Sequence, residues 1–138
     1  MPTVTNHSGL RNILRLDAVT CSAVAVLQLV LAQPLASLLG LDSMLLIGSA
    51  IFLLGYVCLL LATAHAMNIW TWLLQVIVIG NLGWGLGCLA LTVGASGVTR
   101  LGQAYLALQA VVVFVIAAWQ WRAGSQQVTS AAMPPKHA

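Results

Sequence analysis

The sequence predicts an all-α integral membrane protein: an antiparallel bundle of four transmembrane helices with both termini in the cytoplasm. Three observations predict this class. Charged residues make up only 5% of the 138 residues, apolar residues make up 61%, and the few charges are separated by long uncharged stretches. A soluble domain carries about 25% charged residues, and seven charges cannot cover the surface of a protein of this size.

The same composition excludes other classes of protein. The net charge of +3 comes from five scattered cations, whereas nucleic-acid binding needs a clustered basic surface. The high apolar content also excludes a disordered chain, because disordered segments are poor in apolar residues. We therefore predict the lipid bilayer as the surrounding medium and no nucleic-acid partner.

The uncharged stretches give the number of spans. Asp17 and Asp42 are separated by 24 residues, Asp42 and Arg100 by 57, and Arg100 and Arg122 by 21. Since a helix needs about 20 apolar residues to cross a bilayer, the middle stretch must fold back once, and residues 63–68 are its most polar segment. The predicted spans are 11–32, 44–64, 69–94 and 99–122.

A proline determines where the first span ends. Pro34 lacks an amide proton, so a helix tends to stop before it. We predict that residues 34–40 form a separate interfacial helical turn, with proline near its start and glycine at its end. A single kinked helix over residues 18–39 is the alternative.

The two ends of the chain lack an apolar period. Residues 1–9 are predicted to form a mobile N-terminal tail, and residues 123–138 a disordered cytoplasmic tail. Arg11 and Arg15 before an apolar run would also suit a signal peptide. Asp17 argues against it, because this charge lies where the apolar core of a signal peptide should begin.

Lysine and arginine residues predict the orientation. With four spans, both termini and the second loop share one side and carry four Lys or Arg residues, while the other two loops carry only Arg100. Positive charges concentrate in cytoplasmic loops, so both termini are predicted inside, and we expect a multi-pass protein of the bacterial inner (plasma) membrane. Four indoles are predicted to anchor this cytoplasmic interface: Trp70, Trp72, Trp119 and Trp121.

Asp17 is the most informative residue, because ionisable groups inside a span are costly and often functional. Its helical neighbours at i±3 and i±4 include no cation, so its partner must come from another helix. The predicted pairs are Asp17 with Gln75, Asn81 with Gln109, and Gln28 with Tyr105. These six residues form a predicted intramembrane polar cluster, which could either join helices or line a narrow cavity.

Glycines recur on one side of the second and third spans, where small residues let helix backbones approach. The predicted packing residues are Gly48, Gly55, Gly80, Gly83 and Gly87. Because the third helix then has a polar face and a glycine face, one face could pack within the subunit and the other between subunits. The pattern predicts a homo-oligomer.

No catalytic residue, metal site or cofactor is predicted. The three cysteines lie in different spans at different depths, so they cannot reach the Cα separation that a disulfide needs. No histidine lies within helical reach of another histidine or of a carboxylate, as a metal pair would require.

Several short segments carry a resemblance to known proteins. They are Arg15-Leu-Asp17, the Gln-Pro-Leu-Ala-Ser-Leu-Leu-Gly-Leu segment at 33–41, Asn81-Leu-Gly-Trp84 and Leu108-Gln-Ala110. Together they resemble a group of small bacterial four-span inner-membrane proteins without an assigned activity, over about residues 10–122. The resemblance implies the architecture and no reaction.

Three functions follow as hypotheses. A non-catalytic membrane protein, either an accessory or assembly partner in a larger membrane complex or a binding protein, is favoured because no nucleophile–base pair is visible. A small-solute or proton-coupled carrier, acting as a dimer through Asp17, is the alternative. A lipid- or quinone-binding membrane enzyme is the second alternative, with only Asp17, Tyr105 and His65 for acid–base chemistry.

Overall fold

The computed structural model describes the backbone of residues 3–132 and the side chains of residues 3–127. Over this range the elements are β1 (Thr3–Thr5), α1 (Ser8–Val30), α2 (Ala32–Leu39), α3 (Ser43–His65), β2 (Asn68–Trp70), α4 (Thr71–Gly94) and α5 (Arg100–Ala132). Four helices, α1, α3, α4 and α5, are long and apolar enough to cross a membrane. The predicted helical class, with four apolar helices of membrane-spanning length, is thereby confirmed.

Regular secondary structure extends further at both ends than the composition suggests. The segment expected to be a mobile N-terminal tail contains β1, and α5 continues for ten residues past position 122, into the segment expected to be disordered. Tertiary packing explains the extension of α5, because Ala123 packs against the apolar core and a Cβ on Gly124 would overlap the Leu74 side chain. Residues 133–138 of the expected tail lie outside the described range.

The chain breaks between α1 and α2 at Leu31, whose φ of −113° and ψ of 26° are not helical. Residues 18–39 are therefore not one kinked helix. Pro34 is the third residue of α2, in the first turn, where a missing amide proton costs no intrahelical hydrogen bond. Gly40 ends α2 with a φ of +66°, a left-handed conformation that glycine adopts without steric cost.

A junction joins α2 to the start of α5. The Thr99 backbone N–H donates to the Leu39 carbonyl at 3.0 Å, and the Thr99 hydroxyl donates to the Leu38 carbonyl at 2.7 Å. The same hydroxyl accepts from the Gly102 N–H at 3.0 Å, as an N-cap does. A Cβ on Gly102 would overlap the Leu39 carbonyl oxygen, so glycine permits this close approach.

The opposite end of the bundle is closed by the N-terminal segment. Strand β1 pairs antiparallel with β2, and Val4, opposite Ile69, is buried with it. The buried Asn6 amide donates to three carbonyl groups between residues 63 and 66 at 2.7–3.2 Å. Two of these carbonyls lie in the last turn of α3 and the third belongs to Ala66 just beyond it, so Asn6 supplies donors where the helix ends.

The long helices pack as two intimate pairs, α1 with α3 and α4 with α5, and α1 also packs against α5. Backbone contact between α3 and α4 is sparse by comparison. Two side-chain contacts bridge them: the Tyr56 hydroxyl donates to the Ile77 carbonyl at 3.0 Å, and the Phe52 and Trp84 rings stack with centroids 6.1 Å apart. This arrangement leaves a cleft between α3 and α4.

Candidate binding cavity

A buried polar triad lies at the inner end of the cleft. Asp17 Oδ2 accepts hydrogen bonds from Asn81 Nδ2 at 2.8 Å and from Gln120 Nε2 at 2.7 Å. Asn81 Nδ2 also donates to Gln120 Oε1 at 3.1 Å. The three side chains come from α1, α4 and α5, and none is more than 3% exposed. The triad therefore joins the two helix pairs through hydrogen bonds in an apolar interior.

The donors around Asp17 suit a carboxylate anion. Two amide N–H groups converge on Oδ2, and the Cys21 thiol donates to Oδ1 at 3.5 Å. An ionised carboxylate only accepts hydrogen bonds, and N–H groups directed at it are charge-assisted and strong. Its recorded partners are the side chains of Asn81, Gln120 and Cys21, so no cation balances this carboxylate within the described part of the chain.

A second polar network links α4 to α3 by way of α5 and α1. Trp84 Nε1 donates to Gln109 Oε1 at 3.1 Å, and Gln109 is also hydrogen-bonded to the Tyr105 hydroxyl. Gln28 Nε2 donates to that hydroxyl at 3.2 Å, and Ser49 donates to Gln28 Oε1 at 3.0 Å. Each of the four long helices supplies at least one member of this network.

Between the triad and this network lies a cavity of about 240 Å³, bounded by all four long helices. Its wall is mainly apolar. The side chains with polar atoms that line it include Asp17, Tyr56, Asn81, Trp84, Tyr105 and Gln109. A wider groove of about 490 Å³ adjoins it and shares the Trp84 wall. An apolar cavity with a few convergent polar groups is the usual form of a small-molecule site.

The structure brings together five of the six residues of the predicted polar cluster. Some of their hydrogen-bond partners differ from the predicted ones. The expected Gln28–Tyr105 hydrogen bond is present. Asn81 and Gln109 do not pair as expected, because Asn81 bonds Asp17 and Gln109 bonds Trp84. The expected pairing of Asp17 with the sixth residue is corrected as well: Gln75 is exposed, and it borders a separate cavity beside Trp121.

The glycines expected to pack helices mostly face open space. A Cβ on Gly80 would lie 3.6 Å from the Tyr56 ring, but a Cβ on Gly48, Gly55, Gly83 or Gly87 would meet no atom within 4 Å. The last two line the groove instead. These four glycines therefore do not bring helices of one chain together.

The predicted interface tryptophans are all between 47% and 56% exposed. Trp70 and Trp72 lie at the start of α4 and stack with centroids 5.8 Å apart, while Trp119 and Trp121 lie in the later part of α5. Trp121 and Thr71 border the same surface cavity, so the two pairs lie near the same end of the bundle. Half-exposed indoles at one level suit a membrane interface.

Gln120, Phe52 and Tyr56 are part of the site although the sequence analysis did not select them. Gln120 follows Gln109 by eleven residues, three helical turns, so the two share one face of α5; that spacing was the available signal. Phe52 and Tyr56 are four residues apart on α3, which also places them on one face. Nothing in the sequence indicated that this face borders a cavity.

Within residues 3–127, no group of three or more His, Cys, Asp or Glu side chains could hold a metal ion. The cysteines are unpaired: Cys21 and Cys88 are buried and Cys58 is exposed.

Comparison of the chain with protein-family models, curated proteins and solved structures finds no significant match. The fold and the site therefore depend on the residues and their geometry alone. The resemblance to bacterial four-span proteins gains no support from a matched family or homologue.

Proposed function

We propose that this chain is a non-catalytic multi-pass membrane protein that binds a small lipophilic molecule in the cavity bounded by the four long helices. The observation that carries the proposal is the cavity itself. The cavity opens to the outside of the bundle, since Phe52 and Leu108 in its wall are exposed. A mainly apolar space of about 240 Å³ beside a few hydrogen-bonding side chains has the form of a small-molecule site.

The chemistry of the wall favours binding over catalysis. Asp17 is the one carboxylate that borders the cavity, and two amides already bond it. General acid–base catalysis needs a proton-transferring group within hydrogen-bond reach of the substrate. Asp17 is fully buried, which keeps its carboxyl group out of direct contact with a ligand in the cavity.

For the orientation in the membrane, we propose an antiparallel bundle with both termini in the cytoplasm of a bacterial cell, in the inner membrane. Two observations support it. The pairing of β1 with β2 brings the residues just before α1 next to those between α3 and α4, and that end carries the larger share of Lys and Arg.

Ligand-observed ¹⁹F NMR on the full chain in lipid nanodiscs tests the proposed function. Two ring-fluorinated probes of nearly equal shape are used: 4-fluorobenzyltrimethylammonium and its neutral isostere 4-fluoroneopentylbenzene. We expect at least one probe to give a saturable bound signal that empty nanodiscs lack.

A matched pair of variants locates that binding. Val112 lines the cavity, whereas its neighbour Val111 is 59% exposed on the outside of α5. Val112→Trp fills the cavity and should abolish the bound signal, while Val111→Trp should keep it. Absence of a bound signal for both probes, or undiminished binding to folded Val112→Trp, would contradict the proposal.

A further inference from the structure

We infer that the molecule bound in the cavity is a lipophilic cation, in which an ammonium group is attached to an apolar or aromatic body. This inference depends on the proposed function and names the class of its ligand.

Asp17 has no counter-ion among the residues that the structure describes. This carboxylate is completely buried, and its hydrogen-bond donors are two neutral amides and a thiol. Burial of a lone charge in an apolar interior is expensive, and inside a membrane such a charge usually pairs with another group or faces a water-filled space. The amides offset part of this cost, and a cation in the adjoining cavity would offset more.

The other acidic residue, Asp42, has a different environment. Asp42 is exposed at the start of α3, where its carboxylate accepts from the Met44 N–H at 3.2 Å as a helix cap. The Asp42 carboxylate is thus hydrated, and it caps the N-terminus of α3. Of the two acidic residues, Asp17 is the one that lines the cavity.

Aromatic side chains form part of the cavity wall. Phe52, Tyr56 and Trp84 line the cavity, and the first and last of these are stacked. Aromatic faces attract cations, most strongly where water is excluded, and rings around a quaternary ammonium are a recurrent way of binding it. A carboxylate behind aromatic rings therefore favours a positive ligand over a neutral one of equal shape.

The two probes separate charge from shape, because one carries a quaternary nitrogen where the other carries a carbon. Binding constants are measured in nanodiscs for the wild type, Asp17→Asn and the control Asp42→Asn. We expect the wild type and Asp42→Asn to bind the cation at least about tenfold more tightly than the isostere. Asp17→Asn should lose most of this preference while it still binds the neutral probe.

Each outcome bears on one of the two claims. If both probes bind the wild type equally, or the neutral one binds more tightly, the cation inference is overturned and the proposed function stands. A cation preference that survives in Asp17→Asn also overturns the inference. If neither probe binds, the proposed function fails. Should Asp17→Asn not fold, the ratio in the wild type decides.

Discussion

Asp17 depends on two amide donors from other helices, and one of them belongs to a residue that lies between two interface tryptophans. Gln120 is fully buried although Trp119 and Trp121 beside it are half-exposed. Its amide both donates to Asp17 and accepts from Asn81. Its removal leaves a buried carboxylate and a buried amide with fewer partners, and unsatisfied buried polar groups are costly.

Gln120→Leu should therefore lower the free energy of unfolding by about 1–3 kcal/mol. The measurement is reversible unfolding in mixed micelles, followed by circular dichroism. Gln75→Leu, the same change at an exposed position, serves as control and should change stability by less than about 0.5 kcal/mol. Equal effects of the two substitutions would contradict the assignment of Gln120 as the partner of Asp17.

Some residues of the site were predictable from the sequence. A carboxylate inside an apolar span had to find partners on other helices, and helical periodicity placed Asn81, Gln28 and Tyr105 on inward faces. The partners of Asp17 were not predictable, because an error of one turn in the depth of a helix exchanges one amide for another. Gln120 lay inside the predicted fourth span, and its eleven-residue spacing from Gln109 placed it on the same face of α5, but the predicted polar cluster did not include it.

The short helix α2 is the element with the tightest steric requirement. Gly40 has a positive φ, and a Cβ on it would overlap the carbonyl group of Gly97. The loops before α3 and before α5 therefore touch backbone to backbone. The sequence pattern predicted that glycine ends this helix, but not that a second loop packs against it.

Gly40→Ala should destabilise the protein by at least about 1 kcal/mol, the cost of a left-handed alanine, before the overlap is counted. The control is Gly48→Ala, where a Cβ meets open space within a helix. That change should be neutral or stabilising by up to about 1 kcal/mol. Thermal unfolding of both variants in one detergent measures the difference, and a stable Gly40→Ala protein would refute the close approach.

Gly83 and Gly87 form the glycine face of α4. Gly83 and Gly87 have no neighbour within their own chain near the Cβ position, so their small size is available for a second copy. If the proposed homo-oligomer uses this face, Gly87→Leu should weaken association. Gly94→Leu, also in open space but at the end of α4, is the control, and chemical crosslinking in membranes is the measurement. Unchanged crosslinking of Gly87→Leu would remove this face from any oligomer.

At the scale of the whole molecule, two helix pairs meet through the α1–α5 contact and leave a cleft on the α3–α4 side. Apolar length and the separation of charges were enough to predict four spans. They could not predict how the spans pair, because all four are apolar around most of their surface and the lipid-facing side resembles the core. The pairing of β1 with β2 was also not predictable, because strands of three residues give almost no periodic signal.

The orientation is tested by reporter fusions. Fusions at residue 130 and residue 97 should report cytoplasm and periplasm respectively, because the Lys and Arg residues divide four to one. Alkaline phosphatase and green fluorescent protein fusions read the two compartments in opposite ways. Two fusion sites on the same side would contradict the four-span count.

Photoaffinity labelling in native-like membranes tests whether the cavity bounded by the four long helices holds a ligand. The probe is a benzyltrimethylammonium that carries a diazirine on its ring, and peptide mass spectrometry locates the labelled residues. We expect labelling of cavity-lining positions on α1, α3 and α4, such as Thr20, Leu53 and Trp84, that excess unlabelled compound suppresses. Labelling confined to lipid-facing residues such as Ile79 and Val93, which are 67% and 89% exposed, and insensitive to competitor would contradict this expectation.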